Sequence, residues 1–329
     1  KVTGFLPYLA IAFLNASVNL AHKITIQNVL LNPYSGDTLF ILTAVINAMI
    51  LLPFIFLFSP SSFINDKFAK TKVIRICAVF GVVISVAVLI SYLLGAFGVA
   101  FALTLILAAQ SAIYSPAKYG IIKALVGTER LGTANGVIQA LTIVAILVSS
   151  FLFSFIFENL YIQGENSEEI LKSVYPIGIF LVVFSALEAF FAYKLPYISE
   201  TNEQSGEFEL KKYISLSYLR ENLKEVRSDK NIWLSIAGLS IFWGISQIII
   251  AAFPAHYKAV FNDDSSLAVQ AILAVSAIGI AFGSYVAGSM SKLHIELGIV
   301  PMGAMGIFFS LLFFAFGSSI GVVSLSSFA

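Results

Sequence analysis

Hydrophobic residues run along this chain in blocks close to the length of about 20 residues that a helix needs to cross a bilayer core. The blocks predict spans over Phe5–Leu31, Thr38–Phe58, Val73–Leu94, Phe97–Tyr114, Ala134–Phe157, Val174–Lys194, Ile232–Tyr257, Leu267–Met290 and Leu297–Phe316. A tenth apolar run begins near Ser319 and reaches the last residue, Ala329, before a span is complete. The expectation is therefore nine complete spans, the start of a tenth, and a longer parent chain.

Composition agrees with the blocks. Of the 329 residues 59% are hydrophobic and 11% charged, the mean hydropathy is +0.93, and 30 Phe stand against 2 Trp. Such a balance defines an all-α integral membrane protein and excludes an ordinary soluble domain. A net charge of +1 gives nucleic acid no electrostatic footing. The single cysteine, Cys77, cannot form an intrachain disulfide and belongs to no metal-ligating cluster. No cofactor motif is present.

Charge placement sets the orientation. If Lys1 is cytoplasmic, every Lys and Arg except Lys23, Lys172 and Lys258 falls on the cytoplasmic side, as the positive-inside rule requires. The connection over residues 195–231 then lies inside. It carries balanced charge, and Leu216, Leu219, Leu223 and Val226 recur at helical spacing, which predicts a short helix lying on the membrane surface. The chain divides into a six-helix bundle over 1–194, this linker, and a partial second bundle over 232–329. That layout resembles the major facilitator superfamily, in which two bundles rock about a midplane site.

The segment after span 2, "FSPSSFINDKFAKTKVIR", is similar to a superfamily motif, Gly-x-x-x-Asp-Arg/Lys-x-Gly-Arg/Lys. Asp66, Lys67 and Lys70 match it, while Ser62 and Ala69 replace the glycines. The resemblance implies a conformational latch, with an acidic residue pairing across to a neighbouring helix end. Gly288, Lys292 and Glu296 after span 8 form a degenerate echo. Gly279, Gly283 and Ala287 recur every fourth residue in span 8 and would allow close helix packing.

Polar residues inside spans are the candidate chemistry. Asn15, Asn19, Lys23 and Gln27 fall on one stripe of span 1, where Lys23 could meet a phosphate. Asn135, Gln139 and Thr142 share a face of span 5. Asn47, Gln110 and Gln247 are single polar positions in spans 2, 4 and 7. Glu188, near the end of span 6, has Lys194 as a nearby neutralising partner. Pro116 should end span 4, leaving Lys118, Lys123 and Arg130 at the inner surface.

The wording around that proline carries a more specific resemblance. "SPAKYGIIKALV", followed by "ANG", "TIVAIL", "LSIFWG" and "IELGIVPMGA", resembles the bacterial lysophospholipid transporter family. "FLPYLAIAFLNA" and "IQNVL" are similar to the transporter module fused ahead of acyltransferase and acyl-ACP synthetase domains. The resemblance implies a flippase in the bacterial inner membrane. It would return lysophosphatidylethanolamine to the inner leaflet for re-acylation, with membrane lipids and a fused or associated acyltransferase as partners. No enzymatic part is visible: the fifth position after His22, His256 and His294 is Gln27, Phe261 and Ile299, so no His-x4-Asp pair exists. A drug or sugar exporter of the same superfamily, and a non-transporting anchor for fused enzymes, are the alternative readings.

Overall fold

The computed structural model describes residues 4–31, 33–34, 36–162, 166–198, 208–261, 266–291 and 298–317. The first bundle is built from α1 (Phe5–Leu31), α2 (Gly36–Phe56), α3 (Phe58–Lys67), α4 (Lys70–Leu94), α5 (Phe97–Gly120), α6 (Ile122–Val126), α7 (Leu131–Leu160), α8 (Ser167–Ser173) and α9 (Tyr175–Lys194). The linker holds α10 (Leu210–Ile214) and α11 (Ser217–Ser228); α12 (Lys230–Phe261), α13 (Ser266–Met290) and α14 (Ile299–Gly317) come after it. Six helices among the described residues are long and apolar enough to cross a membrane: α1, α2, α4, α5 with α6, α7 and α9. α12, α13 and α14 lie over the seventh, eighth and ninth predicted spans.

α1 is the central helix, packed against α7, α9, α5 and α2, and α4 fills the space between α5 and α9. The core has two apolar layers. At the end where α1 begins, Tyr8, Ile11, Ile74, Cys77, Tyr114 and Leu125 pack together. At the other end Ile26, Leu30, Tyr92, Leu107, Phe153 and Ile177 do so. Outward-facing positions such as Phe80, Phe151 and Phe190 are exposed on the bundle surface, where lipid tails solvate them as well as a core would. α4 ends at Gly95, whose φ of +69° supplies the left-handed cap; the carbonyl of Glu168 packs so close that a Cβ would meet it at 2.8 Å.

Two helix boundaries depart from the sequence reading, and they share a cause. The segment after span 2, for which the sequence predicts no element, is helical as α3. Pro116 does not end the fourth span: α5 runs through it to Gly120 and α6 continues to Val126. Proline has no N–H to give the carbonyl four residues earlier. That carbonyl, on Ala112, instead accepts a hydrogen bond from Ser61 Oγ at 2.8 Å, and the next, on Ile113, accepts from Asn65 Nδ2 at 3.0 Å. Both donors sit on α3, so the short helix docks on the proline defect and repairs it.

The first bundle meets the helices beyond the linker through α7 and α13. A Cβ on Gly136 would stand 2.6 Å from the Ser284 carbonyl oxygen and 2.8 Å from Gly288 Cα, and one on Gly132 would strike the Ser291 carbonyl. Thr133 Oγ1 donates to the Gly288 carbonyl at 3.2 Å. Backbone therefore meets backbone here. The small residues that matter are Ser284 and Gly288 on α13 and Ser291 just past its end; Gly279 and Gly283, expected from their spacing, have nothing within 4 Å of a Cβ.

Candidate functional site

Between the two apolar layers, side chains of α1 reach into the bundle. Asn15 is buried. One turn on, Asn19 Nδ2 donates to the Asn15 carbonyl at 2.8 Å while its Oδ1 accepts from Ser111 Oγ of α5 at 3.0 Å. Ser111 Oγ also lies 3.3 Å from Gln110 Oε1, and Gln110 Nε2 donates to the Cys77 carbonyl on α4 at 2.9 Å. One polar thread thus crosses α1, α5 and α4.

A second cluster holds the buried charges. Glu188 of α9 is 3% exposed and Lys118 of α5 is 7% exposed. Lys118 acts electrostatically on the Glu188 carboxyl, with the Asn15 side chain and the Tyr114 hydroxyl beside it. Among the described residues, neither Glu188 Oε1 nor the Tyr114 hydroxyl closes a hydrogen bond of good geometry. Tyr8 donates from its hydroxyl to the Lys118 carbonyl at 2.9 Å, fixing that turn of α5. Two opposite charges can stay buried because each lowers the cost of the other. Here the sequence reading needs correction twice. Lys118 is not at the inner surface, because α5 continues past Pro116 and carries it into the bundle. Lys194 does not serve Glu188: it is exposed, with its ammonium 5.2 Å from the Phe190 ring centroid.

His22 lies off the predicted stripe of span 1 and is a structural hub. It is fully buried, with Nδ1 2.8 Å from the Tyr92 hydroxyl and Nε2 3.1 Å from Thr104 Oγ1 and 3.2 Å from the Ala100 carbonyl. It ties α1, α4 and α5 together beyond the charged layer. Lys23, its neighbour, is different. It is half-buried and has no hydrogen bond or ion pair among the described residues, so its positive charge is unanswered within a spanning helix. Gln27, a turn further, is also half-buried.

The remaining candidates stand apart from this stripe. Asn135 is exposed on α7, Gln139 is half-buried, and Thr142 bonds its own helix at the Ile138 carbonyl, 2.8 Å. Asn47 is exposed on α2 and bonds the Thr43 carbonyl at 3.0 Å. Gln247 lies on α12 with its side chain outside the described residues, as are Lys292 and Glu296 entirely. At the predicted latch Asp66 and Lys67 are exposed, Lys67 with its ammonium 5.3 Å from the Phe63 ring centroid, and the stem of Lys70 lies against Gly120. Nearby, Arg75 donates to the carbonyls of Ala192 at 3.2 Å and Leu195 at 2.8 Å, closing the end of α9, and Thr71 Oγ1 donates to the Pro196 carbonyl at 3.1 Å.

A polytopic helical bundle with an internal polar stripe and a membrane-embedded lysine unpaired among the described residues is the anatomy of a membrane transport protein. The comparison with known families is direct. The profile of the Major Facilitator Superfamily matches residues 5–329, and the chain belongs to that superfamily. Among curated proteins, a lysophospholipid transporter, LplT, of Photorhabdus laumondii is 28% identical over 196 residues, covering 59% of this chain and 45% of that protein. The chain thus spans less than half the length of this relative.

Proposed function

We propose that the protein is a lysophospholipid transporter of the bacterial inner membrane. It moves lysophosphatidylethanolamine-type lipids to the inner leaflet by alternating access, for re-acylation by a fused or associated acyltransferase. The observation that carries this reading is Lys23: a half-buried cation without a partner among the described residues, on the same helix as Asn19 and Gln27. A lysolipid offers it a phosphate, while the single acyl chain needs only the apolar surface that the bundle already presents. Similarity to the curated lysophospholipid transporter supports the same substrate class.

In this reading residues 1–194 and 232–329 belong to two bundles, joined by a cytoplasmic linker over 195–231, with the N-terminus cytoplasmic. They rock against each other across α7 and α13, where close backbone contact leaves few side chains to disengage beyond Thr133. Asp66, Lys67 and Lys70 latch one of the two states, and Asn135, Gln139 and Thr142 give α7 a polar face toward the path. The test is lysophosphatidylethanolamine uptake by spheroplasts carrying Lys23 variants. Lys23→Gln should weaken apparent affinity by about tenfold or more, the loss expected for a charged hydrogen bond. Lys23→Arg should spare part of it, since guanidinium also pairs with phosphate. Uptake unchanged by both substitutions would remove Lys23 from the site.

A further inference from the structure

The linker helix α11 has three distinct arcs. Leu219 and Leu223 form an exposed apolar edge, 39% and 42% exposed, with Leu216, 56% exposed, just before the helix. Arg220, Lys224 and Arg227, at i, i+4 and i+7, share the adjoining arc. Glu221 and Glu225 lie beyond them, while Val226 is turned half inward. The basic arc and Leu223 line an open groove of about 450 Å³. Among the described residues the contact ion pair is Lys212 with Glu209, the residue before α10, and none of the three cations of α11 makes one.

The helix is also held at a definite level. Tyr213 donates from its hydroxyl to the carbonyl of Phe56, the last residue of the second span, at 2.6 Å. Phe208 packs between Phe63 of α3 and Tyr218 of α11, with ring centroids 5.4 and 5.5 Å away. These contacts pin α10 and α11 where a spanning helix leaves the bilayer. Trp233, half-exposed at the start of α12 and stacked by Arg227 at 5.4 Å, is a residue type favoured at that interface.

We propose that α11 is a docking site for anionic phospholipid of the adjoining leaflet, with the lipid phosphate in the Arg220–Lys224–Arg227 groove and its acyl chains beside Leu219 and Leu223. Charge complementarity selects an anionic headgroup over a zwitterionic one, and the apolar edge selects a lipid over a soluble anion. Because α11 leads directly into α12, a bound lipid layer fixes the linker to the membrane while the second bundle moves. This site is separate from Lys23 and does not depend on which substrate is carried.

The test uses the full-length protein with Cys77→Ala and Leu219→Cys, labelled with bimane and reconstituted in phosphatidylcholine vesicles. A minor fraction of the lipid carries brominated acyl chains, on either phosphatidylglycerol or phosphatidylcholine. Brominated phosphatidylglycerol should quench well beyond brominated phosphatidylcholine. Replacing Arg220, Lys224 and Arg227 by Gln should reduce the underlying lipid preference roughly a hundredfold and so abolish the difference in quenching, while Arg220→Lys, Lys224→Arg and Arg227→Lys together should keep it. In the unaltered helix the preference should fade toward 1 M salt, where the Debye length is about 3 Å. Equal quenching by both lipids, no quenching by either, a preference insensitive to salt, or displacement by millimolar inorganic phosphate would each overturn the proposal.

Discussion

Replacing Lys118 by Met tests the buried charge cluster most sharply. Methionine keeps most of the side-chain volume and removes the ammonium, so the packing of α5 against α4 and α1 is preserved while Glu188, 3% exposed, loses its cation. Removing one partner of a buried pair costs about 3–5 kcal/mol. Lys118 and Glu188 interact without ion-pair contact, which argues for the lower end, about 3 kcal/mol. With roughly 2–4 °C lost per kcal/mol for domains of comparable bundle size, the midpoint should fall by about 6–12 °C. Cys77 supplies the assay: it is the one cysteine and is buried, so a thiol-reactive dye in detergent reports unfolding without any added label. Glu188→Gln should also destabilise, leaving the lysine unanswered. The Lys118→Met, Glu188→Gln double variant should be more stable than the sum of the two losses predicts, because neither charge remains. A midpoint unmoved by Lys118→Met, or strictly additive losses in the double variant, would refute the pairing.

Ser61→Ala with Asn65→Leu should destabilise by about 1–3 kcal/mol for each stranded carbonyl, read by the same dye. Adding Pro116→Ala should restore part of the loss, since alanine at that position regains the backbone N–H that the Ala112 carbonyl lacks; no rescue would mean that α3 does not repair the proline. Gly136→Val should cut transport while leaving insertion and the first bundle's folding intact, because its Cβ would press on the α13 backbone. Normal transport by that variant would show that the α7–α13 contact is dispensable.

The spanning helices are legible from hydropathy alone, because a bilayer imposes a length that sequence displays directly. The polar stripe of α1 is legible from its period, and Asn15 and Asn19 do turn into the bundle. Pro116 misleads because its cost is local and visible, whereas its compensation by Ser61 and Asn65 comes from a helix some fifty positions earlier. The Lys118–Glu188 interaction is hidden for the same reason, and the nearer Lys194 looks the better partner. On α13 the four-residue spacing of Gly279, Gly283 and Ala287 suggests one face. The contact uses the neighbouring face through Gly288, since two backbones can approach only where both helices lack side chains together.

Carriage of one-chain phospholipids across the bilayer is measured most directly by the flipping of fluorescent lysophosphatidylethanolamine in proteoliposomes of the purified full-length protein, beside diacyl phosphatidylethanolamine bearing the same fluorophore. Protein-dependent flipping of the lysolipid should run well above that of the diacyl lipid and of protein-free vesicles. Lysolipid flipping no faster than in protein-free vesicles, or equal protein-dependent rates for both lipids, would contradict the assignment.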